Sequence, residues 1–328
     1  DGNGRLCRHH EICRDPMNHA PTFCRVWAPA TVANLNVGFD ALGCALKAPG
    51  EFMEFRRVSQ PGVHLVNGPN TALPLEVEAN VAGKAAASLL HALGDPFGVE
   101  VTVTKSILPG SGIGSSAASA VAAVVGIDAL AQAGMRRDEL LPFALDGEAV
   151  ASGARHTDNV APALMGGMTL IDPQGKVCPL PVPTSWHLVV LHPQVVIKTA
   201  ESRAVLPSQV PLSDAVNQAA WLGRFVHDVH SGNELEAMYA LEDLLVGPHR
   251  GALMPHWDAC QTAAKEAGVR AGGISGSGPS SFWVCRSAEE ASQVGRALQR
   301  VMSAQGMDHH LHVTAISSQG AHVVSQSH

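Results

Sequence analysis

One tyrosine and eight phenylalanines stand in the whole 328-residue chain, and aromatic residues make up only 4% of it. Large rings therefore cannot fill the interior, which has to be built from Ala, Val, Leu and Gly with backbones approaching closely. Charged residues are also scarce, at 16%, yet the 46% of hydrophobic residues excludes a disordered chain. With 22 Lys+Arg against 29 Asp+Glu the formal net charge is −7, which excludes a broad basic surface for nucleic acid. Long apolar runs are missing too. The most apolar segment, Ala117 to Ala133, is interrupted by Ser119, Asp128 and Gln132 and reads as a buried helix, not a membrane span. The seven cysteines follow no framework spacing, so reduced thiols and a cytoplasmic setting are expected. Their densest grouping is Cys7, His9, His10, Cys13 and Cys24, whose spacing fits no zinc knuckle. Residues 1–16 carry Arg5, Arg8 and Arg14 but no apolar stretch, so they are not a secretory signal. Met17 is expected to be the native start, and residues 1–22 an extension outside the fold.

No internal repeat is present, and the length allows two modest domains. Strands are expected at Phe23–Trp27, Glu51–Val58, Val99–Leu108, Gly166–Asp172 and His187–His192. Helices are expected at Asn80–Leu93, from the end of a glycine-rich turn at Pro109–Gly114 to about Ala133, and over Arg137–Ser152. The proline-rich stretch Cys178–Thr184 marks a boundary, giving domains 23–184 and 185–328. Beyond it come helices near Asp214–His230, Glu234–Leu245, Trp257–Gly268 and Ala288–Gln305. Strands near Val269–Ile274, Ser281–Cys285 and His310–Ile316 complete an α+β layer, the last of them closing it.

The strongest chemical signal is the run Pro109-Gly110-Ser111-Gly112-Ile113-Gly114-Ser115-Ser116-Ala117-Ala118. It follows an expected strand and opens an expected helix. Glycine or serine fills every position from 110 to 116 except Ile113. Such a loop brings backbone amides, two hydroxyls and a helix N-terminus to one point, which suits an anion and most naturally phosphate. It is not a Walker A loop, because Ser115 stands where that motif needs Lys. A dinucleotide fingerprint fits Gly112 to Ala117 by spacing, but the helix is followed by another helix, not by the acidic-ended strand of a Rossmann unit. Taken as residues alone, Glu148 reads as a solvated helix carboxylate, and Arg203 and Arg250 as surface charges.

This loop resembles the phosphate-binding motif of the GHMP kinases, and two further motifs agree in order and spacing. They are Ala28-Pro29-Ala30-Thr31-Val32-Ala33-Asn34-Leu35-Asn36-Val37-Gly38-Phe39-Asp40 and Gly273-Ile274-Ser275-Gly276-Ser277-Gly278-Pro279-Ser280. The segment Gly147-Glu148-Ala149-Val150 through Arg155-His156-Thr157-Asp158-Asn159 to Pro162 is similar to the branch of that superfamily that acts on L-homoserine. The resemblance spans about Arg25 to Ile316. It implies an α+β, two-domain fold: an N-terminal domain with a left-handed, ribosomal-protein-like β-α-β unit, and a ferredoxin-like C-terminal domain. It implies ATP as phosphoryl donor, with its phosphates on Pro109, Gly110, Ser111, Gly112, Ile113, Gly114, Ser115, Ser116 and Ala117, and Mg²⁺ held by Ser116 and Glu148. The third motif is expected to line the cleft from the opposite domain.

The implied substrate is L-homoserine, bound through Asn34, Asp40, His156, Asn159, Arg203, Arg250 and Gly276, and phosphorylated on its side-chain hydroxyl on the route to threonine. Arg203 and Arg250 would take its carboxylate, and Asp40 its ammonium. Many GHMP kinases place an Asp at the attacking hydroxyl; the matching position here is Asn159, which cannot act as a base. Catalysis is therefore expected from positioning by Asn159, Glu148 and Ser116, with Asp158 as the neighbour able to upset that view. No membrane or nucleic-acid partner is expected. A homodimer is common in the family, although no surface patch in the sequence marks one. Another acceptor, such as mevalonate or a sugar, and a non-catalytic nucleotide-binding regulator are the rival readings.

Overall fold

The computed structural model describes residues 20–153 and 155–328. Cys7, His9, His10, Cys13 and Met17 lie outside the described residues. Cys24, the remaining member of that group, is a core residue, and burial pushes its thiol up to about 12.

Two sheets organise the chain. The first is seven-stranded and antiparallel at its centre. Its spine is β1 (Phe23–Ala33) paired with β2 (Leu42–Val58), which in turn pairs with β4 (Gly98–Thr104). The strand β3 (Val63–Asn67) runs parallel to β4 and is joined to it through α1 (Val81–Ala92), the β-α-β unit of the layer. Asn80 caps α1 by accepting from the Gly83 amide at 3.1 Å. The strand β5 (Met168–Ile171) adds to β2, and β6 (Val177–Leu180) adds to β5.

Packed on this sheet are α2 (Ser115–Ala131), α3 (Arg137–Ser152) and α4 (Thr157–Met165). Nearly every residue of α2 is buried, as its Ala/Val composition requires. At Gly126 any side chain would run into the ring of Phe55, so helix and sheet meet in near backbone contact. The scarcity of rings is thus offset by close approach.

The second sheet is formed by β7 (His187–Pro193), β8 (Gly272–Ile274), β9 (Ser281–Cys285) and β10 (His309–Thr314), in the spatial order β10-β7-β9-β8. With helices between β7 and β8 and between β9 and β10, this is the ferredoxin-like arrangement expected from sequence. Val189, Leu191, Trp283 and Cys285 face α9 (Trp257–Glu266) and α10 (Ala288–Ala304). Leu188, Val190, Phe282 and Val284 join the core of the first layer, so the two layers share an interior.

Four local expectations are corrected. The second strand begins at Leu42 and not at Glu51, because Ala48-Pro49-Gly50 bends the strand instead of ending it; the β1–β2 register shifts opposite this point, between Pro29 and Thr31. The polar residues His156, Asp158 and Asn159, expected in a loop just past the Arg137–Ser152 helix, are not in one, since Asp158 and Asn159 form the first turn of α4. The helix expected over Glu234–Leu245 ends at Tyr239 as α7 (Glu234–Tyr239), because Asp243 accepts from the amides of Leu245, Val246 and Gly247 in a turn of its own. Finally, His310–Ile316 does not close the chain. A further strand, β11 (His322–Ser327), returns to the first sheet and pairs with β1. The expected division at residue 184 therefore leaves β11 across the boundary from the sheet it joins. Thr22, on the other side, bonds to Ser327 at 2.9 Å.

Candidate active site

A cleft of about 570 Å³ opens between the layers, within the range of small-molecule sites. Its floor is the glycine-rich loop between β4 and α2. Gly110, Gly112 and Gly114 have φ of +75°, +80° and +72°, values open to glycine but strained for other residues. At Gly112 an added Cβ would lie 2.6 Å from the carbonyl oxygen of Gly278 and 2.9 Å from that of Ser275, so the loop touches the third motif backbone to backbone. That motif also grips the loop by its carbonyls. Ser275 Oγ donates to Gly112 O at 2.8 Å, and Ser280 Oγ donates to Ser111 O at 2.5 Å. With the carbonyls turned outward in this way, the loop is a concave anion cradle at the N-terminus of α2. Ser111 Oγ, buried and lining the cleft, has no hydrogen-bond partner among the described residues.

Of the loop residues singled out in the sequence, Pro109, Gly110, Ser111, Gly112, Gly114, Ser115 and Ser116 line the cleft. Ile113 and Ala117 point into the core, where Ile113 O accepts from Thr31 N at 3.1 Å. Ser116 Oγ donates to Glu148 Oε1 at 3.0 Å across α2 and α3. Glu148 is 3% exposed, so it is not the solvated carboxylate that its residue type alone suggests. His156 Nδ1 lies 3.6 Å from the same oxygen, and the neighbouring Glu148 carboxylate raises the imidazole above its usual range. Asp158, buried at the base of this group, is pushed up to about 7, mainly by burial and then by the nearby Asp40.

Beside this group the cleft carries opposite charges, with Arg203 Nη2 at 3.4 Å from His156 Nε2. Arg203, on α5 (Thr199–Ala204), donates through Nη2 to both oxygens of Asp40 at 2.9 and 3.0 Å. Arg250, on α8 (Gly247–Arg250), is 3% exposed. Its Nη1 donates to Gly276 O at 2.6 Å and its Nε to Ser202 O at 3.2 Å. Among the described residues no carboxylate forms an ion pair with it, and burial lowers its pKa. A buried cation whose hydrogen bonds go only to carbonyls is a receptor for an anion. Asn34 braces this part of the cleft, donating to Gly276 O at 3.1 Å and accepting from the Asp40 amide at 3.0 Å. Asn34, Asp40, His156, Asn159, Arg203, Arg250 and Gly276 all line the one cleft.

Sequence reasoning missed other participants. Thr31 Oγ1 donates to Asn159 Oδ1 at 2.7 Å, leaving the amide N–H donors of Asn159 for the cleft. Lys105, under the loop, is fully engaged: it meets Glu51 at 2.7 Å, Ser115 O at 2.9 Å and Ser119 Oγ at 2.9 Å. In sequence it is marked only as the one cation between Val99 and Leu108, four residues before Pro109. Phe39 and Thr199 carry no comparable signal; the fold alone brings them to the site.

The family model of the GHMP kinases N terminal domain matches residues 80–167, and that of the GHMP kinases C terminal matches residues 229–304. A homoserine kinase of Xanthomonas campestris pv. campestris is 39% identical over 303 residues, covering 92% of this chain and 94% of that protein. The chain belongs to the homoserine kinase family of GHMP kinases. A family member from Xylella fastidiosa is 38% identical over 92% of this chain and 94% of its own length. The crystal structure of homoserine kinase from Cytophaga hutchinsonii superimposes with a TM-score of 0.89 at 37% identity, covering 92% of this chain and 98% of that one. The Leishmania major mevalonate kinase, at 15% identity and a TM-score of 0.67 over 90% of this chain and 96% of that one, shares the fold. Among the described residues no helix is long and apolar enough to cross a membrane.

Proposed function

We propose that this family member transfers the γ-phosphoryl group of ATP to the side-chain hydroxyl of L-homoserine, giving ADP and O-phospho-L-homoserine on the route to threonine. The observation that carries the proposal is the buried Arg250 guanidinium without a carboxylate, set beside the Asp40–Arg203 pair in the same cleft as an anion cradle. A zwitterion with a hydroxyl tail matches both features: its carboxylate meets Arg250 and Arg203, its ammonium meets Asp40, and its hydroxyl reaches toward the loop. The curated relatives named above are homoserine kinases, which supports the same substrate.

Among the described residues no cluster of three or more His, Cys, Asp or Glu is suited to a metal. Ser116 Oγ and Glu148 Oε1, 3.0 Å apart, are two hard oxygens at the cradle's edge, and they fit Mg²⁺ whose remaining ligands are phosphate oxygens and water. When bound there, Mg²⁺ supplies neutralisation of the phosphate charge.

The chain's own residues do the rest. The loop amides and the Ser111 hydroxyl hold the phosphates. Thr31 fixes Asn159 so that its N–H donors orient the substrate hydroxyl in line with the γ-phosphorus. The hydroxyl oxygen forms the new P–O bond as the bond to the ADP oxygen breaks, and the hydroxyl proton passes to a phosphate oxygen or water. A loose transition state needs little help from a base, which suits an amide at this position.

The test is ADP release by purified protein with MgATP across L-homoserine, mevalonate and galactose. Turnover with homoserine alone supports the proposal. Turnover with either other acceptor would keep the phosphate cradle and reject the amino-acid pocket. Nucleotide binding without turnover on any of them would favour a regulatory protein.

A further inference from the structure

Two cations from separate segments of the second layer converge on one ring from the first. The guanidinium of Arg250 lies over the Phe39 ring at 5.0 Å from its centroid, and that of Arg203 lies over it at 5.5 Å. Left alone these guanidiniums repel; Arg203 is among the groups that lower the pKa of Arg250, after burial. Asp40 forms an ion pair with Arg203 and acts on Arg250 only at longer range. The Phe39 ring lies against both guanidiniums, and its π system attracts them.

The ring is also firmly held. Phe39 sits in the turn between β1 and β2, where Asn34, Leu35, Asn36 and Asp40 all have positive φ, from +43° to +67°. Non-glycine residues adopt this conformation when surrounding bonds impose it. Those bonds are present: Gly38 N donates to Asn34 O at 2.9 Å, and Val37 N to Leu35 O at 2.7 Å. From the second layer, Gln218 Nε2 donates to Val37 O at 2.8 Å. In the other direction, Asn36 Nδ2 donates to Leu241 O at 2.7 Å. The turn is tied to both layers, and Phe39 is half-buried at its apex beside the cleft.

We infer that Phe39 is a positioning residue for the acceptor: its ring holds Arg203 and Arg250 together, so that one substrate carboxylate meets both guanidiniums. This rests on the amino-acid reading of the pocket. Phe39 is far from the phosphate cradle in function, since its two partners serve the carboxylate end and not the transferred group. Removing the ring should therefore weaken acceptor binding and leave nucleotide binding and chemistry nearly untouched.

The experiment compares wild type with Phe39→Leu, which keeps an apolar side chain but no π face, and Phe39→Tyr, which restores the face. Steady-state kinetics give kcat and the KM for homoserine and for ATP, and calorimetric titration gives the homoserine Kd without turnover. Phe39→Leu is expected to raise the homoserine KM and Kd about 10-fold, with kcat and the ATP KM within about 3-fold, and Phe39→Tyr to restore wild-type values. The inference is overturned if Leu binds homoserine as wild type does, if Tyr fails as badly as Leu, or if Leu shifts all three kinetic parameters together. Wild type that binds homoserine without phosphorylating it would reject the proposed reaction while the Kd ratio still decides the role of Phe39. Wild type that does not bind homoserine would reject both.

Discussion

Thr31→Val is the most direct probe of how Asn159 works. Thr31 is fully buried on β1, and valine matches it in shape and in preference for a strand. The backbone bond from Thr31 N to Ile113 O survives the change; what disappears is the 2.7 Å hydrogen bond to Asn159 Oδ1. The amide then has no donor fixing which of its ends faces the cleft. Leaving such an acceptor unsatisfied costs about 1–3 kcal/mol. If that energy is felt in the transition state, kcat falls about 5- to 150-fold. The assay is coupled ADP release at saturating ATP and homoserine, with urea unfolding to separate loss of fold from loss of rate. KM for ATP should change little, because the cradle's amides are untouched. Adding Asn159→Ala to Thr31→Val should lower kcat no further than Asn159→Ala alone, since the hydroxyl acts only through the amide. A Thr31→Val enzyme with kcat within 2-fold of wild type, beside a crippled Asn159→Ala, would refute the reasoning.

Three other perturbations have defined outcomes. Lys105→Met leaves Glu51 buried without its cation and should destabilise the protein by about 3–5 kcal/mol in urea unfolding, with most of the loss recovered when Glu51→Leu is added; a loss below about 1 kcal/mol would contradict the pairing. Gly112→Ala forces a Cβ to 2.6 Å from Gly278 O at φ +80° and should lower kcat/KM for ATP at least 10-fold, on the order of the left-handed penalty, whereas Gly110→Ala meets only the Val196 side chain and should be milder. Asp158 holds its proton to about pH 7 when folded but only to about 4 when unfolded, so folding takes up a proton between these values and stability falls as pH rises through that window. Asp158→Asn removes the effect, so its melting temperature relative to wild type should be higher at pH 8 than at pH 5; equal differences at both would show that Asp158 is ionised in the fold.

The phosphate cradle could be read from sequence because its chemistry is local: three glycines, their serines and a helix start are contiguous. The helix cap at Asn80 is legible for the same reason. The amino-acid end could be read only through a family resemblance, since Asp40, Arg203 and Arg250 lie on three separate segments that nothing in the composition links. Thr31 and Phe39 escaped because their roles lie in partners rather than in residue type. Ala48-Pro49-Gly50 misled because a turn signal and a bend within a strand look alike in sequence, and only the pairing with β1 tells them apart. The strand at His322–Ser327 escaped because a short polar segment becomes a strand only when an edge is waiting for it.

That returning strand has a consequence during synthesis. β1 is made before the whole second layer, yet the strand that covers its outer edge, His322–Ser327, leaves the ribosome only after that layer. Until then β1 offers an open row of amides and carbonyls, the hazard of any bare sheet edge. The first layer therefore cannot reach its finished form as an independent early unit, and a truncated version ending after residue 184 would keep the glycine-rich loop without the Ser275 and Ser280 hydroxyls that hold its carbonyls, and would carry a permanent adhesive edge.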